Sequence, residues 1–112
     1  MTLFKIYKDK SGQFRFFFKL KDNVALISEP YSSMYLCLQK LHFFKRNASN
    51  DSYYIRQTAS CGSPFFTFQK GFNGERLGTS ESFVTIKAME DSIVLMRSSA
   101  KSTIIDDSVY AV

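Results

Sequence analysis

Few residues in this chain have the types and spacing that chemistry needs. His42 is the only histidine, and a general base needs a positioned partner. The residues three and four positions away, Leu38, Gln39, Lys45 and Arg46, include no carboxylate, so His42 reads as a surface or partly buried helix residue. Cys37 and Cys61 are the two cysteines; with one histidine and no CxxC pair they lack the ligand spacing of a zinc site. As free thiols they point to a reducing compartment. Serines are plentiful, but none sits in Gly-x-Ser-x-Gly. Gly71, Gly74 and Gly78 fall around a hairpin rather than between a strand and a helix, which excludes a phosphate loop. Glu29 and Glu81 hold equivalent places just before two helices, where unpaired amide groups favour a carboxylate by about 0.3 to 1 kcal/mol. That electrostatic role accounts for both without an acid–base pair. No catalytic residue, cofactor or metal is expected.

Two surfaces suit binding instead. Lys5 and Tyr7 alternate with apolar residues on one stretch, and Arg15, Phe17 and Lys19 do so on the next. If both are strands, the five side chains share a sheet face on which aromatics interleave with cations. Single-stranded nucleic-acid binders stack bases and neutralise phosphates on such a face. The same pairs also stabilise a solvated sheet by cross-strand contact alone. The second surface is helical: Tyr35, Leu36 and Phe43 lie off the main apolar stripe of their helix, where the other helix carries Lys87, Ala88 and Leu95. An additional apolar face needs cover, from within the fold or from a protein partner or second copy.

The elements that position these residues follow from an internal repeat. Ser28-Glu29-Pro30-Tyr31-Ser32-Ser33 recurs as Ser80-Glu81-Ser82-Phe83-Val84-Thr85. By simple offset, Phe14 and Phe16 answer to Phe66 and Phe68, and Cys37, Leu41, Phe44 and Lys45 to Met89, Ile93, Met96 and Arg97. Residues 3–8 alternate with strand period, Asp9 to Gly12 turn the chain, and Phe14, Phe16, Phe18 and Leu20 form the inner face of a second strand. Asp22-Asn23 reads as a tight turn tolerant of left-handed backbone, and 24–28 as a third strand. Ser33, or Ser32 beside it, caps a helix with the stripe Met34, Cys37, Leu38, Leu41 and Phe44, closed by Lys45, Arg46 and a left-handed Asn47. The second half replays this order with strands over 53–58, 65–70 and 75–80, an Asn73-Gly74 hairpin turn, and a Thr85-capped helix with the stripe Ile86, Met89, Ile93 and Met96. After Ser99 the chain reads as linker, with a last short strand at Thr103-Ile104-Ile105.

A chain of 112 residues is one domain by size and buries roughly 65% of its unfolded surface, enough for a core without staples. Two small units with one apolar helix stripe each should share that core. The formal charge of +5 lies wholly in the first half: residues 1–52 hold nine Lys/Arg against four Asp/Glu, and residues 53–112 hold six against six. The N-terminal stretch lacks a signal-peptide pattern, and no apolar run approaches the roughly 18 residues of a membrane span. A cytoplasmic protein that does not meet a membrane is expected.

Ile6-Tyr7-Lys8-Asp9, Gly12, Phe14-Arg15-Phe16, Lys19, the joint at Ser28 to Ser33 and Lys45-Arg46-Asn47 together give a chain that resembles the YegP-like family of small, uncharacterised bacterial proteins. Pro30 stands where that family usually has Gly, Asp22-Asn23 where it has Asn-Gly, and Val84 where it has the first Ser. The resemblance implies repeats of three strands, a helix and a strand, merged into one sheet with exchanged terminal strands, and it implies no activity. The reading is thus an α+β fold: two tandem β-β-β-α-β repeats, about 1–52 and about 53–112, merged into one antiparallel sheet with two helices packed on one face. Its function is read as non-enzymatic binding or protein interaction, with nucleic-acid binding by the basic aromatic face as the rival.

Overall fold

The computed structural model describes residues 2–111. Among them, seven strands form one sheet: β1 (Leu3–Lys8), β2 (Phe14–Leu20), β3 (Asn23–Ser28), β4 (Tyr54–Thr58), β5 (Pro64–Gln69), β6 (Arg76–Ser80) and β7 (Ile105–Ala111). Their spatial order is β4-β5-β6-β3-β2-β1-β7. Helices α1 (Met34–Asn47) and α2 (Ile86–Ser99) cover one face, each followed by a short 3₁₀ turn, Asp51–Tyr53 and Ala100–Ser102.

Alternation in β1 turns Phe4 and Ile6 inward, and the antiparallel register places them opposite Phe18 and Phe16. Phe4 and Phe18 stack at 4.4 Å. The Asp9 carboxylate closes this hairpin by accepting the amides of Ser11 and Gln13, both at 3.0 Å. The Ser11 hydroxyl, Arg15 and these amides hold Asp9 down at about 2. Both helices start on a side-chain cap: Ser33 Oγ accepts the Leu36 amide at 3.1 Å and Thr85 Oγ1 the Ala88 amide at 3.0 Å. Such a cap contributes about 1 kcal/mol. The buried stripes are Cys37, Leu41 and Phe44 on α1 and Met89, Ile93 and Met96 on α2. With Phe66 and Phe68 of β5, they form one continuous cluster with the β1 and β2 aromatics.

β3 and β6 join the two halves antiparallel, pairing Leu26 with Ser80, Ile27 with Thr79 and Ser28 with Gly78. A Cβ on Gly78 would stand 2.8 Å from Leu26 Cδ2 and 2.9 Å from the Ile27 carbonyl oxygen. Only a glycine lets the strands approach here. On either side of the joint one hydroxyl makes the same two bonds. Ser28 Oγ accepts the Phe16 amide and donates to the Glu29 carbonyl, both at 2.9 Å. Ser80 Oγ accepts the Phe66 amide at 2.9 Å and donates to the Glu81 carbonyl at 2.7 Å. Each half also has a bulge: Ala25 is the additional residue opposite the Phe18/Lys19 step and Leu77 opposite Phe68/Gln69. A bulge turns two consecutive side chains to one side, so Ala25 and Leu77 enter the core.

Several expectations change. The sheet is mixed, because β7 runs parallel to β1. Alternating direction is forced only where tight turns join neighbours, and β7 arrives through α2 as a crossover. The stretch after Ser99 is thus a 3₁₀ turn and a full edge strand, with the Phe4 amide donating to the Ile104 carbonyl at 2.9 Å. The separations of 12 and 14 residues in the two serine bonds match Phe16, not Phe14, with Phe66, since the second half has two more residues before its joint. Those residues lie in loop 70–75, where Gly71 takes the positive φ of 73° that Lys21 takes at 56° in the first half. In these two loops the left-handed positions are therefore Lys21 and Gly71, and none of Asp22, Asn23, Asn73 and Gly74 has a positive φ. Asn47 stays helical, its Nδ2 donating to the Phe43 carbonyl, and Ala48 caps α1 with ordinary helical backbone. Ile86 is 68% exposed, so the buried stripe of α2 begins at Met89.

Candidate functional site

Register brings the five residues of the basic aromatic face together on the side away from the helices: Leu3 lies opposite Lys19, Lys5 opposite Phe17 and Tyr7 opposite Arg15. Tyr7 and Phe17 rings lie 6.0 Å apart. Two of the cations are already engaged. Lys5 Nζ pairs with Asp106 at 3.1 Å and donates to Ser108 Oγ at 2.9 Å, both on β7. The Ser108 hydroxyl and Lys5 hold Asp106 below its ordinary range. Arg15 pairs with Asp9 at 3.1 Å and donates to the Ser28 carbonyl at 3.1 Å. Lys19 has no carboxylate partner among the described residues. β7 thus brings acid to this face, a contribution hidden while the C-terminal stretch read as linker.

Glu29 and Glu81 do not meet. The Glu29 amide bonds to Leu77 and the Glu81 amide to Ala25, at opposite ends of the β3–β6 pair. The four intervening strand steps put them about 13 Å apart. Cys37 is buried, which pushes its thiol up to about 12, whereas Cys61 is exposed and lowered by the Ser63 hydroxyl.

The helix residues Tyr35, Leu36 and Phe43 do converge, on a groove of about 890 Å³ between α1 and loop 70–75. Phe68 and the bulged Leu77 lie buried beneath it, 0% and 4% exposed, and its accessible α1 wall is Leu36 and Phe43. Tyr35 is 73% exposed at one end, while Leu36 and Phe43 are half-buried. Tyr53, in the turn after α1, closes part of it by meeting Phe43 edge-on at 5.9 Å and stacking on Phe68 at 5.2 Å. The opposite wall is built by loop closure. A Cβ on Gly74 would lie 2.0 Å from the Lys70 carbonyl oxygen, so only glycine allows the loop to fold back this tightly. Gln69 braces the loop by donating to the carbonyls of Gly71 at 2.7 Å and Phe72 at 3.1 Å. Gln69 in turn accepts from the Thr67 hydroxyl at 2.8 Å. Glu75 then reaches Lys40 of α1 at 2.7 Å, a bridge across the groove.

Beyond this bridge lies a second hollow of about 760 Å³, which shares Leu36, Lys40 and Glu75 with the first. Tyr31 lines it, its backbone fixed to Phe14 by bonds of 2.7 and 2.8 Å. Tyr31 is 8% exposed, and its hydroxyl has no hydrogen-bond partner among the described residues. Burial raises its pKa, and Glu75 adds to the rise, so it stays a neutral donor. His42, Arg46 and Lys70 stand on the rim of the first hollow. Sequence reasoning found the helix wall but missed Phe68, Leu77, Lys70, Glu75 and Tyr31. The signal available for the missing wall was Gly71 and Gly74 within six residues between two strands.

No protein-family model matches the chain. Among curated proteins it is similar to the UPF0339 protein in the ptx operon 5' region of Stutzerimonas stutzeri, 32% identical over 98 residues, which are 87% of this chain and 87% of the relative. It is also similar to the UPF0339 protein YegP of Escherichia coli K12, 26% identical over 106 residues, 94% of this chain and 96% of the relative. The solution NMR structure of E. coli YegP, described as a protein of unknown function, aligns with a TM-score of 0.86 at 25% identity, covering 96% of this chain and 93% of that one. A UPF0339 protein from Shewanella oneidensis shares the fold, with a TM-score of 0.86 at 23% identity over 96% of this chain and 92% of that one.

Proposed function

The chain belongs to the UPF0339 family, and from that premise we propose that it is a non-enzymatic binding module whose site is the groove between α1 and loop 70–75. One observation carries the reading: a concave groove, walled by the half-buried Leu36 and Phe43 above the buried Phe68 and Leu77, lies between a helix and a loop braced in place, the form in which ligand sites are usually built. Divergence of the two halves supports it. The first is read as residues about 1–52 and the second as about 53–112 of one duplicated domain. Aromatic residues stand on this face of α1, with Lys87, Ala88 and Leu95 in the equivalent places on α2. Binding rather than turnover is supported by the surroundings of His42, which has neither a carboxylate nor a hydrogen-bond partner among the described residues. We place the protein in the cytoplasm, where Cys37 and Cys61 stay free thiols. Among the described residues, no helix is long and apolar enough to cross a membrane.

A second reading, single-stranded nucleic-acid binding by Lys5, Tyr7, Arg15, Phe17 and Lys19, is favoured by the Tyr7–Phe17 ring pair beside Lys19. One experiment separates the two. The tagged chain is recovered from lysate with and without nuclease, alongside Tyr35→Asp, which alters a groove residue too exposed to disturb the core. The groove reading expects a bound species, small or large by mass spectrometry, that survives nuclease and moderate salt and is lost in Tyr35→Asp. A species that nuclease or salt removes, and that Tyr35→Asp retains, would transfer the function to the β1–β2 face.

A further inference from the structure

We propose that the groove receives a small anionic amphiphile, a medium-chain carboxylate whose apolar body lies along Leu36 and Phe43 and whose head group meets Arg46 and Lys70. This deepens the groove reading and rests on it. Charge selects the sign of the ligand. Both acids lining the two hollows are matched, Glu75 by Lys40 at 2.7 Å and Glu29 by Arg76 at 3.5 Å. Arg46 and Lys70 are exposed on the rim with no carboxylate partner among the described residues. Two cations without carboxylate partners at the mouth of an apolar groove favour an anionic head group over a cationic one.

Size selects a small molecule. The helix wall spans residues 35–46, about 16 Å at the rise of an α-helix, and the volume of about 890 Å³ lies within the range of small-molecule sites. A stable protein contact needs about 800 Å² from each partner, more than a groove of this length offers.

The test is an amide-resolved NMR titration of the full ¹⁵N-labelled chain with decanoate, decylammonium and decanol. Decanoate should saturate and shift residues 35–46 and 70–77, with decylammonium weaker by about ten-fold or more. The double substitution Arg46→Glu and Lys70→Glu, both on exposed side chains, should reduce decanoate affinity by a similar factor while leaving the melting temperature near the parent value. Equal binding of decanoate and decylammonium, shifts scattered over the surface, or a double variant that binds like the parent would overturn the proposal. If decanoate does not bind while Tyr35→Asp still loses a cellular partner, the groove stands and the amphiphile falls, with an acidic peptide the remaining occupant. If neither effect is seen, both readings fall.

Discussion

Replacing Phe44 with alanine is expected to lower the free energy of unfolding by about 3 to 5 kcal/mol, the range for removing a buried ring from a packed core. Phe44 is fully buried on the inner stripe of α1. Its ring meets those of Phe4 at 5.8 Å, Phe16 at 6.4 Å, Phe18 at 5.8 Å and Phe68 at 4.6 Å. The first three belong to β1 and β2 and the last to β5, so one side chain holds α1 against both halves of the sheet. Rigid neighbours on every side cannot close over the space, and edge-on contacts are lost with it. Since domains of this size are stable by about 5 to 15 kcal/mol, the variant should be marginal. Urea melts followed by tyrosine fluorescence measure the loss; a cost under about 1 kcal/mol would show that the ring cluster is not what joins the halves.

Residues 1–52 alone should not form a stable monomer. The fragment keeps β1 to β3 and α1 but loses Phe68 from beside Phe44, β6 from the outer edge of β3 and β7 from the outer edge of β1. It also loses the Tyr54 hydroxyl, which donates to the Ala48 carbonyl at 2.6 Å and ties the end of α1. Two open strand edges flanking an uncovered Phe-rich face are a template for self-association. Light scattering and calorimetry should find dimers, aggregates or unfolded chain. A monodisperse fragment with a cooperative melt would mean that each half has a sufficient core of its own.

Much of this fold was legible because local signals and burial agreed. The alternation of Phe4 and Ile6, the caps Ser33 and Thr85, and the stripes around Leu41 and Ile93 each follow from a short-range period that tertiary contacts then reinforced. What could not be read depends on contacts distant in sequence. β7 has little apolar pattern of its own; it is held by the β1 edge and by Asp106 against Lys5, which only the folded sheet brings together. Asn73-Gly74 carries a strong local turn preference and lies in the reversal, where the Gly74 amide donates to the Gly71 carbonyl at 3.3 Å, but the left-handed backbone falls on Gly71. The candidate site divides in the same way. Tyr35, Leu36 and Phe43 stood out as an apolar face without cover, whereas the opposite wall needed the Gly74 approach to Lys70 and the reach of Glu75 across to Lys40. The basic aromatic face shows the converse: strand period put its five members on one side of the sheet, yet the charges of Lys5 and Arg15 were already committed to Asp106 and Asp9.

The central claim is that the groove along α1 is where this protein meets its ligand. Its most direct test is the amide spectrum of the ¹⁵N-labelled chain recorded in buffer and again in cell lysate. The groove reading predicts that resonances of residues 35–46 and 70–77 shift or broaden while those of residues 3–8 and 14–20 hold still. Changes confined to the face of Lys5, Phe17 and Lys19, or no change anywhere, would contradict it.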